Sequence, residues 1–166
     1  MKTKVTLSLY SKIISAIIII ALAVGCVLCY SEPIASGVML VILLSLLIGA
    51  SIYSPLSVTA TPEEVSVNSL MRRTYFPMKG IESATPFQPT MGAIRIFASG
   101  GFMGYWGEFR EGDIGRYTAF YGRSSRCILL RLRNGAKYVI GTDDPAALAD
   151  YINTHIPPAT TQPNRN

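Results

Sequence analysis

A glycine-rich and aromatic stretch, residues 100–107 (Gly-Gly-Phe-Met-Gly-Tyr-Trp-Gly), is one candidate contact site in the sequence. A phosphate-binding loop would need a lysine followed by serine or threonine and then a helix, and the sequence has neither at this point. The glycines can instead permit tight bends over which the aromatic side chains pack. The alternative is that Phe102, Tyr105 and Trp106 contact a membrane or a partner protein, since Tyr and Trp favour lipid interfaces.

A second group of candidate contacts is basic: Arg72 and Arg73, followed by Lys79. A basic side chain beside an anionic bilayer gains about 1 kcal/mol from the lipid headgroups. An ordinary solvated basic loop is the alternative. Arg72 and Arg73 are therefore predicted, with the three aromatic residues, as membrane or partner contacts.

The residues that usually perform catalysis or bind metals are sparse. His155 is the single histidine, and the chain has no Gly-x-Ser-x-Gly motif that would present a nucleophile. Of the three cysteines, Cys26 and Cys29 lie in an apolar run that offers no positive environment to activate a thiol, and Cys127 stands alone. The sequence predicts a protein that is not an enzyme, with no catalytic, metal or cofactor site.

Two uncharged apolar runs, residues 13–30 and 34–53, precede all the candidate contacts. Only Ser31, Glu32 and Pro33 separate them. With a rise of about 1.5 Å per residue, each run makes a helix close to the ~30 Å thickness of the bilayer hydrocarbon. Because backbone in lipid must form its hydrogen bonds internally, the two runs predict a transmembrane helical hairpin.

The distribution of charge around the hairpin predicts its orientation. Lys2, Lys4 and Lys12 precede the first run, whereas the turn carries only Glu32. By the positive-inside rule, residues 1–12 form a short basic cytoplasmic N-terminus and the chain after residue 53 returns to the cytoplasm. A cleaved leader peptide is disfavoured, because apolar sequence continues past Cys26 and a second full run follows.

The overall charge is mildly positive. The chain has 15 basic and 10 acidic residues, a net charge of +5. A nucleic-acid-binding protein would carry a dense basic patch or stripe, which is not present. We expect no nucleic-acid partner, and the excess suits a domain that lies near anionic lipid headgroups.

The remaining residues, from about 55 to 156, show the short alternating segments of β-strands. Within residues 93–99, Ile94 and Ile96 fall on one face and Arg95 and Phe97 on the other. Residues 128–140 predict a hairpin in which Asn134–Gly135 forms a type I′ turn.

One amphipathic helix follows the strands. Asp144 is suited to cap a helix that begins at Pro145, and Leu148 and Ile152 then share one face. Pro157 and Pro158 end the helix, and residues 157–166 are predicted to be a disordered polar tail.

Two segments resemble known sequences. Phe76–Ala84 is similar to the stretch before the third strand of bacterial pleckstrin-homology-like (bacterial PH) domains, in which an apolar residue and a proline precede an isoleucine and a polar segment. Residues 100–107, leading to Ile114–Tyr117, resemble one family of this fold whose members are commonly anchored by N-terminal membrane helices.

The resemblance implies a fold, a location and a role. The fold is a pleckstrin-homology-like domain over residues 55–156, with about seven antiparallel strands in a bent sandwich or partly open barrel closed by the C-terminal α-helix. The location is the bacterial inner (cytoplasmic) membrane, as a multi-pass protein. The role is that of a non-catalytic protein-binding or assembly module, which binds a protein partner or forms a homo-oligomer. The alternative is a lipid- or envelope-sensing module that contacts headgroups through aromatic and basic loops.

Overall fold

The computed structural model describes residues 1–90 and 92–158. In this part of the chain, α1 (Leu9–Leu28) and α2 (Pro33–Tyr53) are followed by a β-rich domain and a third helix, α3 (Pro145–His155). The strands are β1 (Lys2–Lys4), β2 (Ser57–Ala60), β3 (Glu64–Asn68), β4 (Arg73–Pro77), β5 (Ile81–Phe87), β6 (Ile94–Gly101), β7 (Gly104–Glu111), β8 (Gly115–Tyr121), β9 (Cys127–Leu132) and β10 (Lys137–Gly141). The predicted polar tail lies outside the described residues from position 159 onward.

The predicted helical hairpin is present. Both α1 and α2 are long and apolar enough to cross a membrane, and most of their side chains are exposed. The first helix begins at Leu9, four residues before the apolar run, because the Ser8 hydroxyl caps it by accepting a hydrogen bond from the Ser11 N–H at 3.1 Å. The two helices approach closely at Gly25, where a Cβ would lie 2.6 Å from the Met39 sulfur.

The strands form two facing sheets. The first has the order β1-β2-β3-β4 and is antiparallel, and the second has the order β5-β9-β10-β8-β7-β6. In the second sheet β8 and β10 run parallel, where antiparallel pairing was expected throughout. The reason is that β9 runs antiparallel to β10 and lies on the side of β10 away from β8. After the β9–β10 turn, β10 therefore runs in the same direction as β8. The described residues contain ten strands in place of about seven, because the long segments after residue 55 are subdivided and residues 2–4 add one.

The N-terminal strand was not foreseen. Residues 2–4, expected only as part of a basic segment before the membrane, pair with β2. The Met1 amino group donates to the carbonyl oxygen of Ala60 at 2.6 Å, and the Ala60 N–H donates to the carbonyl of Met1 at 2.8 Å. Further on, the Ser8 N–H donates to the carbonyl of Gly122 at 2.9 Å. The residues before α1 therefore lie against the β domain.

The main core lies between the sheets and under α3. Its fully buried members come from both sheets and from α3, and include Val58, Val65, Ile81, Leu130, Ile140, Leu148 and Ile152. As predicted, Asp144 caps α3: its carboxylate accepts from the Ala147 N–H at 3.1 Å. The Asn153 amide bonds to both backbone groups of Ala84, at 2.7 and 2.9 Å, and so covers the edge of β5.

A second apolar cluster covers the other face of the six-stranded sheet. It contains Phe109, Tyr117, Tyr121, Leu129 and Val139. Beside it, the buried Glu111 carboxylate accepts hydrogen bonds from the Thr90 N–H at 3.0 Å and from the Tyr117 hydroxyl at 3.4 Å. Burial, and then the Glu111 charge, raise the pKa of Tyr117. This cluster makes the second sheet apolar on both faces.

The predicted β9–β10 hairpin is present, but its predicted type I′ turn is wrong. Such a turn needs positive φ at both central residues, and only Gly135, at φ 83°, has one. The Asn134 side chain instead accepts a hydrogen bond from the Ala136 N–H at 3.0 Å, and the Leu132 N–H closes the loop onto the Ala136 carbonyl at 2.9 Å. The loop is therefore longer than two residues, which the dipeptide alone did not reveal.

Candidate membrane-proximal site

The tip of the β6–β7 hairpin, residues 102–103, contacts the domain-side ends of both α1 and α2. The Met103 N–H donates to the Ser15 hydroxyl of α1 at 2.7 Å, and the Ser54 hydroxyl, just after α2, donates to the Met103 carbonyl at 2.5 Å. Both serines are buried. Met103 has φ 52°, a left-handed conformation that exposes both of its backbone groups to the helices. The β domain is thus fixed to both helices at one residue.

Trp106 and Arg72, predicted as separate contacts, meet on the same side chain of α2. The Trp106 ring stacks on Tyr53 with ring centroids 5.3 Å apart, and the Trp106 ring N–H donates to the Phe102 carbonyl at 3.3 Å. The Arg72 guanidinium lies over the Tyr53 ring, 5.6 Å from its centroid. These three side chains form a stack at the C-terminal end of α2.

The other predicted contact residues have different environments. Phe102 is buried in the hairpin tip, and Tyr105 points to the opposite face of the sheet from Trp106, where it stacks on Tyr121 at 4.9 Å. Arg73 turns away from the helices and pairs with Glu64 at 2.6 Å in an exposed ion pair. The structure therefore brings Arg72 and Trp106 together at the C-terminal end of α2, with Phe102 in the adjoining hairpin tip, and leaves Tyr105 and Arg73 apart.

One glycine of the aromatic stretch is required by this packing. Gly107 has φ 109°, and a Cβ there would lie 2.3 Å from the carbonyl oxygen of Phe97 on the paired strand. A larger residue would push β6 and β7 apart just below Trp106. This use of glycine agrees with the expectation that the glycines serve tight backbone geometry.

The turn between β3 and β4 is a contact surface that sequence reasoning missed. The Met71 N–H donates to the carbonyl of Ser51 in α2 at 3.0 Å, so the turn lies against the end of the predicted span. Leu70 and Met71 are 72% and 69% exposed at this level. The sequence signal was the apolar pair Leu70–Met71 directly before the arginine pair, a pattern typical of segments that lie at the membrane–water interface.

The outer edge of β6 is the most apolar exposed strand in the described part of the domain. Phe97 is 87% exposed and Ile94 65% exposed, and Ile96 is also exposed. The predicted alternation is wrong here, because a bulge removes Ile96 from the pairing: Arg95 opposes Phe109, and Phe97 opposes Glu108. Phe97 therefore shares a face with Ile94, and Arg95 turns to the opposite face.

These features define a class of protein: a two-sheet domain closed by a C-terminal helix and fixed to a pair of membrane-length apolar helices. A family model described as the bacterial PH domain matches residues 56–156, well over half of the chain. The chain belongs to the bacterial PH domain family, as the resemblance of residues 76–84 and 100–117 implied, and with its two helices it is a membrane-anchored member. No curated protein and no solved structure matches the chain.

Proposed function

We propose that this protein is a non-catalytic module that binds an extended segment of a partner protein at the cytoplasmic face of the bacterial inner membrane. The observation that carries the proposal is the outer edge of β6, with Phe97 87% exposed. No other strand of the described residues pairs with that edge. An unpaired strand presents a row of N–H and C=O groups that another extended chain can pair with.

The side chains of this edge indicate what kind of segment it binds. Ile94, Ile96 and Phe97 are apolar and exposed, so a bound strand that carries apolar residues would remove them from water. Across the hairpin, Glu108 and Arg110 oppose Phe97 and Ile94 and are exposed on the same face. The apolar strip is therefore bordered by one acidic and one basic side chain, which suits a partner strand that is apolar at its centre and polar at its ends.

The topology in this proposal rests on two observations. Strand β1 precedes both helices, β2 follows both, and the two strands pair in one sheet, which requires an even number of membrane crossings. The basic residues Lys2, Lys4 and Lys12 lie at the domain end of the helices, whereas the turn at the far end carries Glu32. By the positive-inside rule this distribution supports a cytoplasmic domain.

The environments of the reactive side chains support a non-catalytic role. The Cys127 thiol is buried and donates to the carbonyl of Arg123 at 3.2 Å, and burial raises the pKa of Cys127, which keeps it as an unreactive thiol. The His155 ring nitrogen Nδ1 lies 2.8 Å from the carbonyl oxygen of Tyr151, one turn back in α3. Within residues 1–90 and 92–158, neither side chain is hydrogen-bonded to a group that would activate it.

Site-specific photo-crosslinking in native membranes tests the proposal. A photoreactive residue at position 97 of the full chain should give a protein adduct of defined mass, and Ile94→Lys should abolish it, because lysine on an edge opposes strand pairing. The matched control is the same photoreactive residue at Tyr75, an exposed aromatic position on the other sheet, which should give no adduct. Equal labelling at 97 and 75 would contradict the proposal. An adduct of twice 18.0 kDa would identify a second copy as the partner.

A second candidate function is direct contact with lipid headgroups, and the β3–β4 turn favours it. Leu70 and Met71 are exposed beside the end of α2, and Arg72 lies next to them over Tyr53. Apolar side chains with an adjacent cation suit the headgroup boundary. A photoreactive residue at position 71 should then label lipid. Labelling at 71 by lipid with no adduct at 97 would favour this function over peptide binding.

A further inference from the structure

A cavity lies between the start of α1 and the face of the six-stranded sheet that carries Tyr121. Its volume is about 540 Å³, within the range of small-molecule sites. The side chains that the argument uses are Tyr10, Arg95, Tyr105, Phe109, Tyr121 and Arg123. It lies on the opposite face of β7 from Trp106 and is separate from the exposed strip of Ile94 and Phe97.

The charge of this cavity is positive. Two arginines line it, and its described lining residues include no aspartate or glutamate. Neither Arg95 nor Arg123 forms an ion pair within residues 1–90 and 92–158, where the arginine ion pairs belong to Arg73 and Arg126. The nearest buried carboxylate, that of Glu111, already accepts two hydrogen bonds. Two cations are therefore available to an anion.

The tyrosines add neutral hydrogen-bond donors. Tyr105 and Tyr121 are stacked at 4.9 Å, and the Tyr10 ring passes close to Gly101, where a Cβ would lie 3.4 Å from it. Burial is the main cause that raises the pKa of Tyr105, with Tyr10 adding to the rise and Arg95 opposing it. Burial likewise raises the pKa of Tyr121. Both hydroxyls stay protonated at neutral pH and can donate to an anionic oxygen.

The bulge in β6 is what puts Arg95 into the cavity. Because Ile96 drops out of the pairing, Arg95 opposes Phe109 and faces the same side as Tyr105. Its guanidinium lies across the backbone of Gly100, where a Cβ would be only 2.3 Å away. A side chain at position 100 would displace the arginine, so the glycine leaves room for it.

We propose that this cavity binds a phosphate-bearing ligand, with Arg95 and Arg123 pairing with the phosphate oxygens and the tyrosine hydroxyls donating to them. Arginine is suited to this role because its planar guanidinium bonds two phosphate oxygens at once. The position agrees with such a ligand: Tyr10 lies three residues before the apolar run of α1, at the level of lipid headgroups. A phospholipid headgroup and a soluble phosphate share this chemistry. Either would contact α1 and the β6–β7 hairpin together.

Native mass spectrometry of the full chain in mild detergent tests the proposal. The probes are dioleoyl-phosphatidic acid and dioleoylglycerol, which share acyl chains and differ by the phosphate group. We expect the wild-type chain to retain the phospholipid and not the diacylglycerol. Arg95→Gln and Arg123→Gln should each weaken retention by about tenfold, the usual effect of losing a charge-assisted pair. Arg116→Gln is the matched control, because Arg116 of β8 is exposed on the face of the sheet away from the cavity, and it should leave retention unchanged.

A second arm distinguishes the two sources of phosphate. Inorganic phosphate, compared with chloride at equal ionic strength, should displace the phospholipid if the site accepts soluble phosphate, and should leave it bound if the site needs the lipid glycerol as well. Arg95→Lys and Arg123→Lys, which keep the charge, should retain part of the binding. Equal retention of the two lipids, or equal loss in the Arg95, Arg123 and Arg116 variants, would overturn the proposal.

Discussion

Replacing Ser15 or Ser54 with alanine should release the tip of the β6–β7 hairpin from the helix pair. The two hydroxyls satisfy the two backbone groups of Met103, with distances of 2.7 and 2.5 Å. Because both serines are buried, water cannot easily replace the lost partner. Leaving one buried backbone group unpaired costs about 1–3 kcal/mol, which is roughly a 5-fold to 150-fold change in the equilibrium between docked and released tip. We expect Ser15→Ala to cost more, since an unpaired N–H is tolerated less well than an unpaired carbonyl.

The chain carries its own reporter for this equilibrium. Trp106 is the single tryptophan and stacks on Tyr53 of α2, so release of the tip exposes its ring. Urea titration of the full chain in detergent, followed by Trp106 emission and by acrylamide quenching, should give a lower midpoint for Ser15→Ala and Ser54→Ala than for the wild type. Ser45→Ala is the control, because the Ser45 hydroxyl donates to the Val41 carbonyl of its own helix and not to the hairpin tip. If all three variants matched the wild type, apolar packing alone would hold the tip and the reasoning would be refuted.

Two further predictions concern the β domain. Gly122→Ala should lower the thermal unfolding midpoint, because its Cβ would lie 2.6 Å from the Thr6 carbonyl oxygen and displace the N-terminal segment. Gly112→Ala is the control and should leave the midpoint unchanged, because no atom lies within 4 Å of its Cβ. Equal midpoints for the two variants would contradict this reasoning. The buried hydroxyls of Tyr117 and Tyr121 have pKa values raised above 10.0, chiefly by burial. The free energy of unfolding should therefore be constant below pH 10.0 and fall as the pH rises above it. The reason is that the unfolded chain then loses protons that the folded chain keeps. Urea unfolding midpoints measured above and below pH 10.0 report this loss of stability. Tyr121→Phe should make the loss smaller, because it removes one of the two hydroxyls. An equal loss in this variant would show that the tyrosine hydroxyls do not cause it.

Local patterns were reliable wherever neighbours in the sequence decide the conformation. The two apolar runs predicted α1 and α2, because backbone in lipid must form its hydrogen bonds internally and a helix does so within one segment. Asp144 before Pro145 predicted the start of α3, since a cap acts over three residues. The glycine of Asn134–Gly135 located the β9–β10 hairpin, although the loop closed by Leu132 and Ala136 was longer than the dipeptide indicated.

Contacts between distant segments could not be predicted in this way. Lys2–Lys4 is too short and too polar to indicate a strand, and it becomes one only because the edge of β2 lies beside it. The stack of Arg72, Tyr53 and Trp106 joins three segments whose separations in the sequence carry no signal. The bulge at Ile96 depends on how β6 pairs with β7, and it puts Arg95 and Phe97 on opposite faces, where simple alternation placed them on one.

The sequence by itself determined that this protein has a membrane-length helical pair followed by a β-rich domain with a closing helix, because hydropathy, caps and turn residues act within a few positions. The resemblance of residues 76–84 and 100–117 implied that this domain is PH-like. Only the tertiary structure decided that the domain holds its own N-terminus as a strand, that Met103 is bonded to a serine at each of the two helices, and that Arg95 and Arg123 share a cavity with three tyrosines. The physical reason is that pairing and packing between remote segments select among many locally acceptable arrangements, and that selection is made by the whole chain.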